Sequence, residues 1–509
     1  MKKISPLFRK ALEILWAAAL ISLPVTSFPL FTRLTRSLVA PLAGLPVLLL
    51  CLTWLVPYLL RRGKVPVETK PFLLFVWISL IASAGAFFIQ IPSFKEATIL
   101  GQELRAYVTV ATGASFYLLF ATWPVDAARL QRALRWVSLG GILMLLWSLT
   151  QVNYLLSGAA QFPGWVTAIQ KMFVVETGFF FRWTNRLSAM TYEPSWFTYL
   201  MTILYFPLWL SASLTRNSSI KLKIGGVILE DGLLILALLE FLLSAPRISL
   251  VSLGTMAVFV ALPLHTRLVT GITQVIDKAR KMNISSAHPN NRRWLRLSIS
   301  ICLLLGYAGS ITSAGYILVK RDDRMQRIFQ NTPAPKDIAG LFTLDEASWL
   351  RVGLRLAFFE RVNYWFFGLH VFERYPWLGV GLGNAGFFYQ EALPAVGWES
   401  YETRGIMFSA GSIPNVKNLW IRLLAESGFA GFAAYCFWLY ILWRSTSGLR
   451  QSSQPVLHQV ALLGQLSLVA MIAEGFSIDS FAMPYVWVVA GLISAAAMIY
   501  RQNISEDRM

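Results

Sequence analysis

Runs of about 20 apolar residues recur along the chain, and a run of that length is what a helix needs to cross the hydrocarbon core of a bilayer. In lipid, each backbone N–H and C=O group must bond within its own segment, so such runs predict transmembrane helices. About twelve of them occur, near 11–31, 37–60, 71–91, 105–123, 135–157, 195–213, 224–244, 246–264, 296–319, 418–443, 457–475 and 481–500. The sequence therefore predicts an all-α polytopic membrane protein.

The composition excludes the soluble and the disordered classes of protein. Hydrophobic residues make up 56% of the chain and charged residues 14%, whereas a soluble protein carries about 25% charged residues. A disordered chain would be poor in the 34 Phe and 19 Trp found here. The net charge is +19, but basic residues in a membrane protein mostly mark cytoplasmic loops. We therefore expect no nucleic-acid partner.

The basic residues also predict the orientation of the chain. Every second loop between the predicted spans is rich in Lys and Arg, so the basic loops fall on one side of the membrane. They lie around Arg61–Lys64, Arg129–Arg135, Arg216–Lys223, Arg267–Arg296 and Arg444–Arg450. With an even number of spans, both termini face the cytoplasm. The expected divisions are 1–319 with nine spans and an external loop near 158–194, a large extracytoplasmic loop over 320–417, and 418–509 with three spans and a short cytoplasmic tail.

Two arginines precede the sixth apolar run, which begins at Pro194 directly after Glu193. Proline suits the first turn of a helix, and the unbonded N–H groups of a helix start favour anions. We expect Arg186 to bind an anion at this helix start. Arg182 fits either the same role or contact with lipid phosphates.

Arg247 follows a very short turn, Ser244-Ala-Pro-Arg247, between two apolar runs. An ionisable residue at such a depth is expensive and is a functional candidate by default. Its planar guanidinium matches a phosphate with two parallel hydrogen bonds. Arg186 and Arg247, from separate parts of the chain, would thus bind one pyrophosphate together. The alternative is a structural ion pair between Arg247 and Glu240, two turns earlier.

A glycine-rich turn runs from Pro376 to Gly386 and contains a formal GxGxxG at Gly381, Gly383 and Gly386. A dinucleotide site needs this motif between a strand and a helix of a βαβ unit, which is not predicted here. We interpret the turn as one that lets the backbone approach a ligand or another helix closely.

Three patches of sequence, taken together, resemble the O-antigen polymerase and ligase superfamily, whose members have a GT-C-like architecture. The patches are Arg186 to Ser195, with Glu193-Pro-Ser entering a helix; Pro376-Trp-Leu-Gly-Val-Gly-Leu-Gly-Asn384; and Asn418-Leu-Trp-Ile-Arg to Gly431. The turn Ser244–Arg247 and the layout of about twelve spans with a long loop before the tenth are also similar to that family.

The resemblance implies a metal-independent glycosyltransferase without a cofactor in the bacterial cytoplasmic membrane. It would polymerise undecaprenyl-diphosphate-linked oligosaccharide repeat units into surface polysaccharide on the extracytoplasmic face, with membrane lipid and a chain-length regulator as further partners. In the ligase branch a histidine precedes the third patch, where this chain has Lys417. The resemblance therefore favours the polymerase branch. A ligase, or a lipid-linked sugar transporter with Glu230-Asp231 inside a span, remains an alternative.

The expected reaction needs positive charge at a departing diphosphate and a group that takes the proton of the attacking hydroxyl. The positive charge is assigned to Arg186 and Arg247. Glu193 is the first candidate for the base or for an orienter of the hydroxyl, with helix capping as its alternative role; His370 and Lys417 follow. The expected substrate contacts, besides these arginines, are Arg182, Asn384, Asn418 and Trp377.

Overall fold

The computed structural model of the protein describes residues 5–157, 163–175, 186–224, 227–244, 247–279, 289–321, 326, 330–331, 333–343, 345–409, 411 and 413–507. These ranges are mostly helical, with almost no sheet. One small antiparallel hairpin, β1 (Lys223–Ile224) and β2 (Val227–Ile228), pairs Lys223 with Ile228.

The helices are numbered here in chain order. The first eleven are α1 (Pro6–Ile21), α2 (Pro29–Thr35), α3 (Gly44–Leu60), α4 (Thr69–Ala86), α5 (Ile99–Thr122), α6 (Ala127–Ser157), α7 (Gly164–Phe173), α8 (Pro194–Thr215), α9 (Leu229–Leu243), α10 (Arg247–Ala279) and α11 (Pro289–Arg321). The others are α12 (Pro335–Phe342), α13 (Glu346–Arg355), α14 (Phe359–Arg374), α15 (Tyr389–Ala392), α16 (Tyr401–Phe408), α17 (Leu419–Leu449), α18 (Pro455–Glu474) and α19 (Pro484–Asp507).

Nine helices within the described ranges are long and apolar enough to cross a membrane, namely α4, α5, α6, α8, α10, α11, α17, α18 and α19. The prediction of an all-α polytopic membrane protein is thereby confirmed. The other three predicted spans form shorter helices: α1 has 16 residues, α9 has 15, and α3 covers Gly44–Leu60.

Two of the apolar helices change their hydrogen-bond pattern just before an internal proline. A π turn over Cys51–Leu55 precedes Pro57 in α3, and a π turn over Met201–Tyr205 precedes Pro207 in α8. Proline has no N–H to donate to the preceding turn, so the ladder must adjust next to it. Such turns redirect the side chains that they carry, and Thr202 lies in the second one.

Aromatic side chains fill the centre of the bundle, where α19 packs on α5 and α17 packs on α4. Phe72, Tyr117, Trp438 and Trp487 are buried and contact one another, with ring centroids 5.3 to 5.5 Å apart. The Tyr117 hydroxyl bonds Ser494 at 3.1 Å, so its polar group is satisfied within the bundle.

The long segment before α17 is a folded helical unit, which we call the cap and define as the described residues of 333–417. It contains α12 to α16 and two 3₁₀ turns, Ala385–Phe388 and Ala395–Glu399. Its own apolar core includes Phe367, Tyr389 and Val416. The cap therefore has a fixed structure that can hold side chains against the ends of the spans.

The glycine-rich turn fastens the cap to the spans. The N–H of Leu382 donates to Ser83 Oγ of α4 at 3.1 Å, and Asn384 Nδ2 donates to Glu103 Oε1 of α5 at 2.9 Å. Gly381 has φ of +85°, and a Cβ there would lie 2.8 Å from Glu103 Oε1. The turn thus brings the backbone close to other helices, one of the two uses expected for it.

The spans place the cap at one end of the bundle. At that end lie the starts of α8 and α10 and the end of α18, which surround a cavity beneath the cap. At the opposite end, the guanidinium of Arg501 in α19 pairs with Glu68, just before α4, at 2.8 Å. The two ends therefore differ in chemistry, and the candidate site belongs to the end that carries the cap.

Candidate functional site at the junction of the cap and the spans

A cavity of about 510 Å³ lies where the cap meets the ends of α8, α10 and α18. It combines charged side chains with apolar and aromatic walls. Its lining consists of Arg186, Glu193, Ser195, Thr198, Arg247, Ile248, Ser249, Val251, Leu356, Phe358, Arg361, Trp365, Glu474, Phe476, Ser477 and Ile478. Three residues of the predicted site, Arg186, Glu193 and Arg247, are thus brought together from separate parts of the chain.

Arg186 is fixed against the end of α9. Its Nε donates a 2.6 Å hydrogen bond to the carbonyl of Ser244. The hydroxyl of Ser244 donates in turn to the carbonyl of Leu187 at 2.5 Å. These bonds tie the stretch before α8 to Ser244, which follows α9 and lies three positions before Arg247 in the chain. Both arginines line the same cavity.

Arg247 is the first residue of α10 and reaches the cap. Its Nη1 donates to the carbonyls of Leu356 and Ala357, at 3.3 and 2.5 Å. Ala357 has φ of +56°, a conformation unusual for a residue with a side chain. The turn after α13 therefore presents two carbonyl oxygens that hold one guanidinium.

Arg361 is a third cationic residue of the cavity, and the sequence analysis did not identify it. It lies in α14, and its Nη1 donates to the carbonyls of Ser477 at 3.3 Å and Lys417 at 3.5 Å. These carbonyls belong to the loop after α18 and the segment before α17. The cap thus delivers a guanidinium to the opposite wall of the cavity.

Glu193 occupies the N-cap position of α8, yet its carboxylate makes no capping bond to the backbone. The hydroxyl of Ser195 donates to its Oε1 instead. The helix start is satisfied in part by the Glu193 carbonyl, which accepts from the N–H of Trp196 at 3.0 Å. The carboxylate is therefore part of the cavity lining and not a cap of the helix.

Glu474, the last residue of α18, was also missed by the sequence analysis. Its side chain is buried, and Thr202 Oγ1 donates to its Oε1 at 2.7 Å. A carboxylate this deep among apolar helices is expensive and marks a functional candidate. A signal was available in the sequence, because Glu474 is the only charged residue of the apolar run 457–475.

Cationic side chains in the lining outnumber acidic ones by three to two. Apolar walls strengthen the interaction of these charges with a ligand, because the surroundings are less polar than water. Guanidinium groups favour phosphate oxygens in particular. The lining therefore suits an anionic ligand that also carries groups able to bond Glu193 and Glu474.

Lys417 does not line the cavity, but its backbone carbonyl accepts a bond from Arg361, which does. Its ammonium bonds Glu402 and lies 4.1 Å from the centroid of the Tyr364 ring. Burial would raise the pKa of the Glu402 carboxyl, but the charge and hydrogen bond of Lys417, with a bond from Tyr364, lower that pKa on balance. Lys417 is thus engaged as the cationic partner of a carboxylate within the cap.

Other ionisable side chains of the cap lie beside this pair. Ser400 donates to Glu360 Oε2. Burial raises the pKa of Glu360, an effect that the bond from Ser400 reduces and the negative charge of Glu402 increases. For Tyr389, burial raises the pKa to about 12 despite a hydrogen bond with Thr403. These pKa shifts result from packing within the cap.

His370 lies within the cap and does not line the cavity. Its Nδ1 is 2.8 Å from the carbonyl of Ala392, which can only accept, so Nδ1 donates. Its Nε2 lies 3.1 Å from Glu346 Oε2. Both ring nitrogens thus face groups of the cap itself.

Three further predicted contact residues also lie outside the lining. Asn384 is buried in the glycine-rich turn, where its amide bonds Glu103. Trp377 is exposed, and its carbonyl accepts from the N–H of Ala430 at 3.2 Å. Asn418 caps α17, since its Oδ1 accepts from the N–H groups of Trp420 and Ile421 at 3.0 and 3.2 Å. Arg182 lies outside the described residues.

Glu240, the suggested ion-pair partner of Arg247, turns toward α6, where the hydroxyl of Ser148 donates to it. The acidic residues that favoured a transporter lie at the far end of the bundle. Glu230 accepts from the N–H of Ser219 at 2.7 Å, and Asp231 pairs with Arg216 at 2.8 Å. These two carboxylates thus secure the start of α9.

No cluster of three or more His, Cys, Asp or Glu side chains suited to a metal ion occurs in the part of the chain that the structure describes. Comparison with known proteins identifies no matching family model and no matching curated protein.

Proposed function

We propose that this protein is a membrane glycosyltransferase that polymerises undecaprenyl-diphosphate-linked oligosaccharide repeat units into a surface polysaccharide such as O-antigen, capsule or exopolysaccharide. The observation that carries the proposal is the convergence of Arg186, Arg247 and Arg361 on one cavity at the ends of membrane-spanning helices. The tail of a lipid-linked diphosphate holds its negative charge at the ends of the spans, a position that a soluble anion does not favour. The resemblance of the sequence patches to O-antigen polymerases supports the same substrate class.

The guanidinium groups would stabilise the diphosphate as it departs with negative charge. Backbone carbonyls of Ser244, Leu356 and Ser477 already hold the three groups in place. Charge that is positioned before the reaction costs no reorganisation when the transition state forms. Because diphosphate is a good leaving group, alignment of the two sugars and this positive charge are the main requirements.

The volume and the walls of the cavity fit such a donor. Pockets for small molecules commonly enclose about 300 to 1,000 Å³, and this one encloses about 510 Å³. Ile248 and Val251 of α10 line it and would contact the first units of the lipid tail. Trp365 offers an aromatic face to a sugar, a role that suits tryptophan in polar-rimmed pockets.

The cap, in this proposal, faces away from the cytoplasm of a bacterium, and the membrane is the cytoplasmic one. The support is the distribution of basic residues. Arg61, Arg62, Arg216 and Arg450 follow the ends of spans that point away from the cap. Because short basic loops tend to stay on the cytoplasmic side during insertion, this distribution supports an extracytoplasmic cap and cavity.

The same donor cavity would serve an O-antigen ligase, so the acceptor separates the two enzymes. Lys417 stands where the resemblance to ligases would place a histidine, and its ammonium is bonded to Glu402. A protonated amine bonded to a carboxylate cannot accept the proton of an attacking hydroxyl. This favours the polymerase.

The test is an assay of purified protein with a polyprenyl-diphosphate oligosaccharide as donor and acceptor. We expect products that differ by whole repeat units, and an absence of extension in the presence of both substrates would contradict the proposal.

In cells, deletion of the gene should leave single repeats attached to the acceptor. Accumulation of unattached lipid-linked polymer would instead identify a ligase.

A further inference from the structure

The buried carboxylate of Glu474 has one oxygen with a hydrogen-bond partner and one without a partner among the described residues. Its side chain is 1% exposed and lines the cavity. Thr202 donates to Oε1 at 2.7 Å, whereas Oε2 has no hydrogen-bond partner among the described residues. The hydroxyls of Ser249 and Ser252 also lie close to this carboxylate. Ser249 donates to Thr198 Oγ1 at 3.0 Å, and Ser252 donates to the carbonyl of Ile248 at 3.3 Å. Glu474 is thus a buried carboxylate that lines the cavity and is surrounded by hydroxyl groups.

Hydroxyl side chains of α8 lead from the mouth of the cavity to this carboxylate. Ser195, Thr198 and Thr202 are spaced by three and four residues, so they lie on one face of the helix. The first two line the cavity, and the third bonds Glu474. The π turn over Met201–Tyr205 lies at this position and sets the direction of Thr202. A polar face of this kind suits the hydroxyl groups of a sugar.

We infer that Glu474 is the catalytic base of the transfer, which rests on the proposed function. Oε2 accepts the proton of the acceptor sugar's hydroxyl while that oxygen forms a bond to the anomeric carbon of the donor. The bond from the anomeric carbon to the phosphate oxygen breaks, and its electron pair leaves on the diphosphate beside the arginines. The products are a glycosidic bond, polyprenyl diphosphate and a protonated Glu474.

The other candidates for this role are less well placed. Glu193 is only half-buried, so water competes for its carboxylate, whereas Glu474 is buried. The Lys417 ammonium is bonded to Glu402, and His370 does not line the cavity. In this arrangement the half-buried Glu193 orients the acceptor, and the buried Glu474 takes the proton.

The chain offers a close control for a substitution of Glu474. Glu240 in α9 is also 1% exposed, accepts one hydroxyl bond from Ser148, and has an oxygen without a partner among the described residues. It does not line the cavity. Glu474→Gln and Glu240→Gln therefore make the same chemical change in similar surroundings, one inside the cavity and one outside it.

The experiment compares chain extension and lipid binding for the purified full-length variants. For Glu474→Gln we expect extension to fall about 100-fold or more, as for loss of a general base. Binding of undecaprenyl diphosphate, followed by tryptophan fluorescence, should change less than about threefold, because the amide keeps the shape of the side chain. Glu240→Gln should extend chains at about the wild-type rate. Glu474→Asp keeps a carboxylate and should regain part of the lost rate.

Three results would overturn the inference. Wild-type extension by Glu474→Gln would show that Oε2 takes no proton. Loss of lipid binding in step with extension would show that Glu474 holds the donor or the fold. Failure of Glu474→Asp to exceed Glu474→Gln would exclude the carboxylate chemistry. The proposed function stands in these cases if wild-type protein extends chains, and it fails if wild-type protein neither binds undecaprenyl diphosphate nor extends them.

Discussion

Arg186 and Ser244 are 58 positions apart in the chain, and the 2.6 Å bond from Nε of the arginine to the carbonyl of the serine joins the start of α8 to the end of α9. Arg247 follows three residues later and bonds the cap. Ser244 thus holds one guanidinium, and the other belongs to a residue three positions later in the chain. Substitutions that keep the charge but alter its geometry are therefore informative.

Arg247→Lys should reduce chain extension at least about tenfold, because lysine keeps the charge but lacks the fork that bonds two carbonyls and a phosphate. Expression and thermal unfolding should stay close to wild type. Arg267→Lys is the control, since Arg267 lies on the same helix beyond the cavity and is exposed. Initial rates with the lipid-linked donor check this prediction, and equal rates for both variants would remove Arg247 from the mechanism.

Lys417→Met should lower the stability of the cap by less than about 1 kcal/mol, since the side chains of Lys417 and Glu402 are partly exposed. Chain extension should persist once the cap is folded. Lys336→Met, an exposed lysine of α12, is the control. Loss of extension in Lys417→Met with an unchanged unfolding temperature would instead assign the ammonium a direct part in the reaction.

The pair also predicts a pH dependence. The pKa of Glu402 in the folded protein lies below its ordinary value of 4.5, so ionisation of this group stabilises the fold above that pH. The stabilisation is lost as the pH falls through the folded-state pKa. Wild-type protein should therefore lose more thermal stability below pH 4.5 than Lys417→Met. Unfolding temperatures at a series of pH values measure this, and parallel curves would contradict it.

Gly428→Ala should destabilise the protein by more than about 3 kcal/mol or prevent its folding, because two effects combine. Gly428 has φ of +63° and ψ of −172° inside α17, a region open to glycine. A Cβ there would lie 2.2 Å from the backbone of Trp377. Gly448→Ala in the same helix meets nothing within 4 Å and should be neutral or stabilising by about 0.5 to 1 kcal/mol. Detergent-solubilised yield and unfolding temperature distinguish the two variants.

Asn418→Ala should cost about 1 kcal/mol of stability, since it removes the oxygen that caps α17. Asn418→Ser keeps a capping oxygen and should cost less. If the role of Asn418 is to cap the helix, extension measured at a temperature where both variants are folded should be near wild type. A loss of extension in both variants without a change in unfolding temperature would favour the contact with substrate that the sequence suggested.

The sequence was most informative where a single physical requirement dominates. Hydropathy predicted the run 418–443, and α17 covers Leu419–Leu449. It missed the continuation of α10 to Ala279, beyond the predicted end at 264, because helical structure can continue past the membrane where hydropathy gives no signal. Its position before a helix start identified Arg186, and a charge in a very short turn between apolar runs identified Arg247.

The rest of the candidate site depends on tertiary contacts that no local pattern encodes. Arg361 lies among other charged residues of the cap, and only the fold turns it toward the carbonyl of Ser477. His370 and Lys417 were candidates from the sequence, but in the fold each lies beside a carboxylate of the cap. Asn418 is the first residue of the third sequence patch, yet its side chain caps α17. Residue type suggested the chemistry, and packing decided which side chains share a cavity.

The break at Gly428 has a consequence for biogenesis. The N–H groups of Phe429 and Ala430 donate to the carbonyls of Pro376 and Trp377, so α17 completes its bonding with backbone supplied by the cap. Before the cap is in place, those donors would meet hydrocarbon without an acceptor, which costs several kcal/mol for each group. Folding of the cap and stable integration of α17 are therefore coupled, and a chain with a misfolded cap would leave α17 incompletely bonded in the membrane.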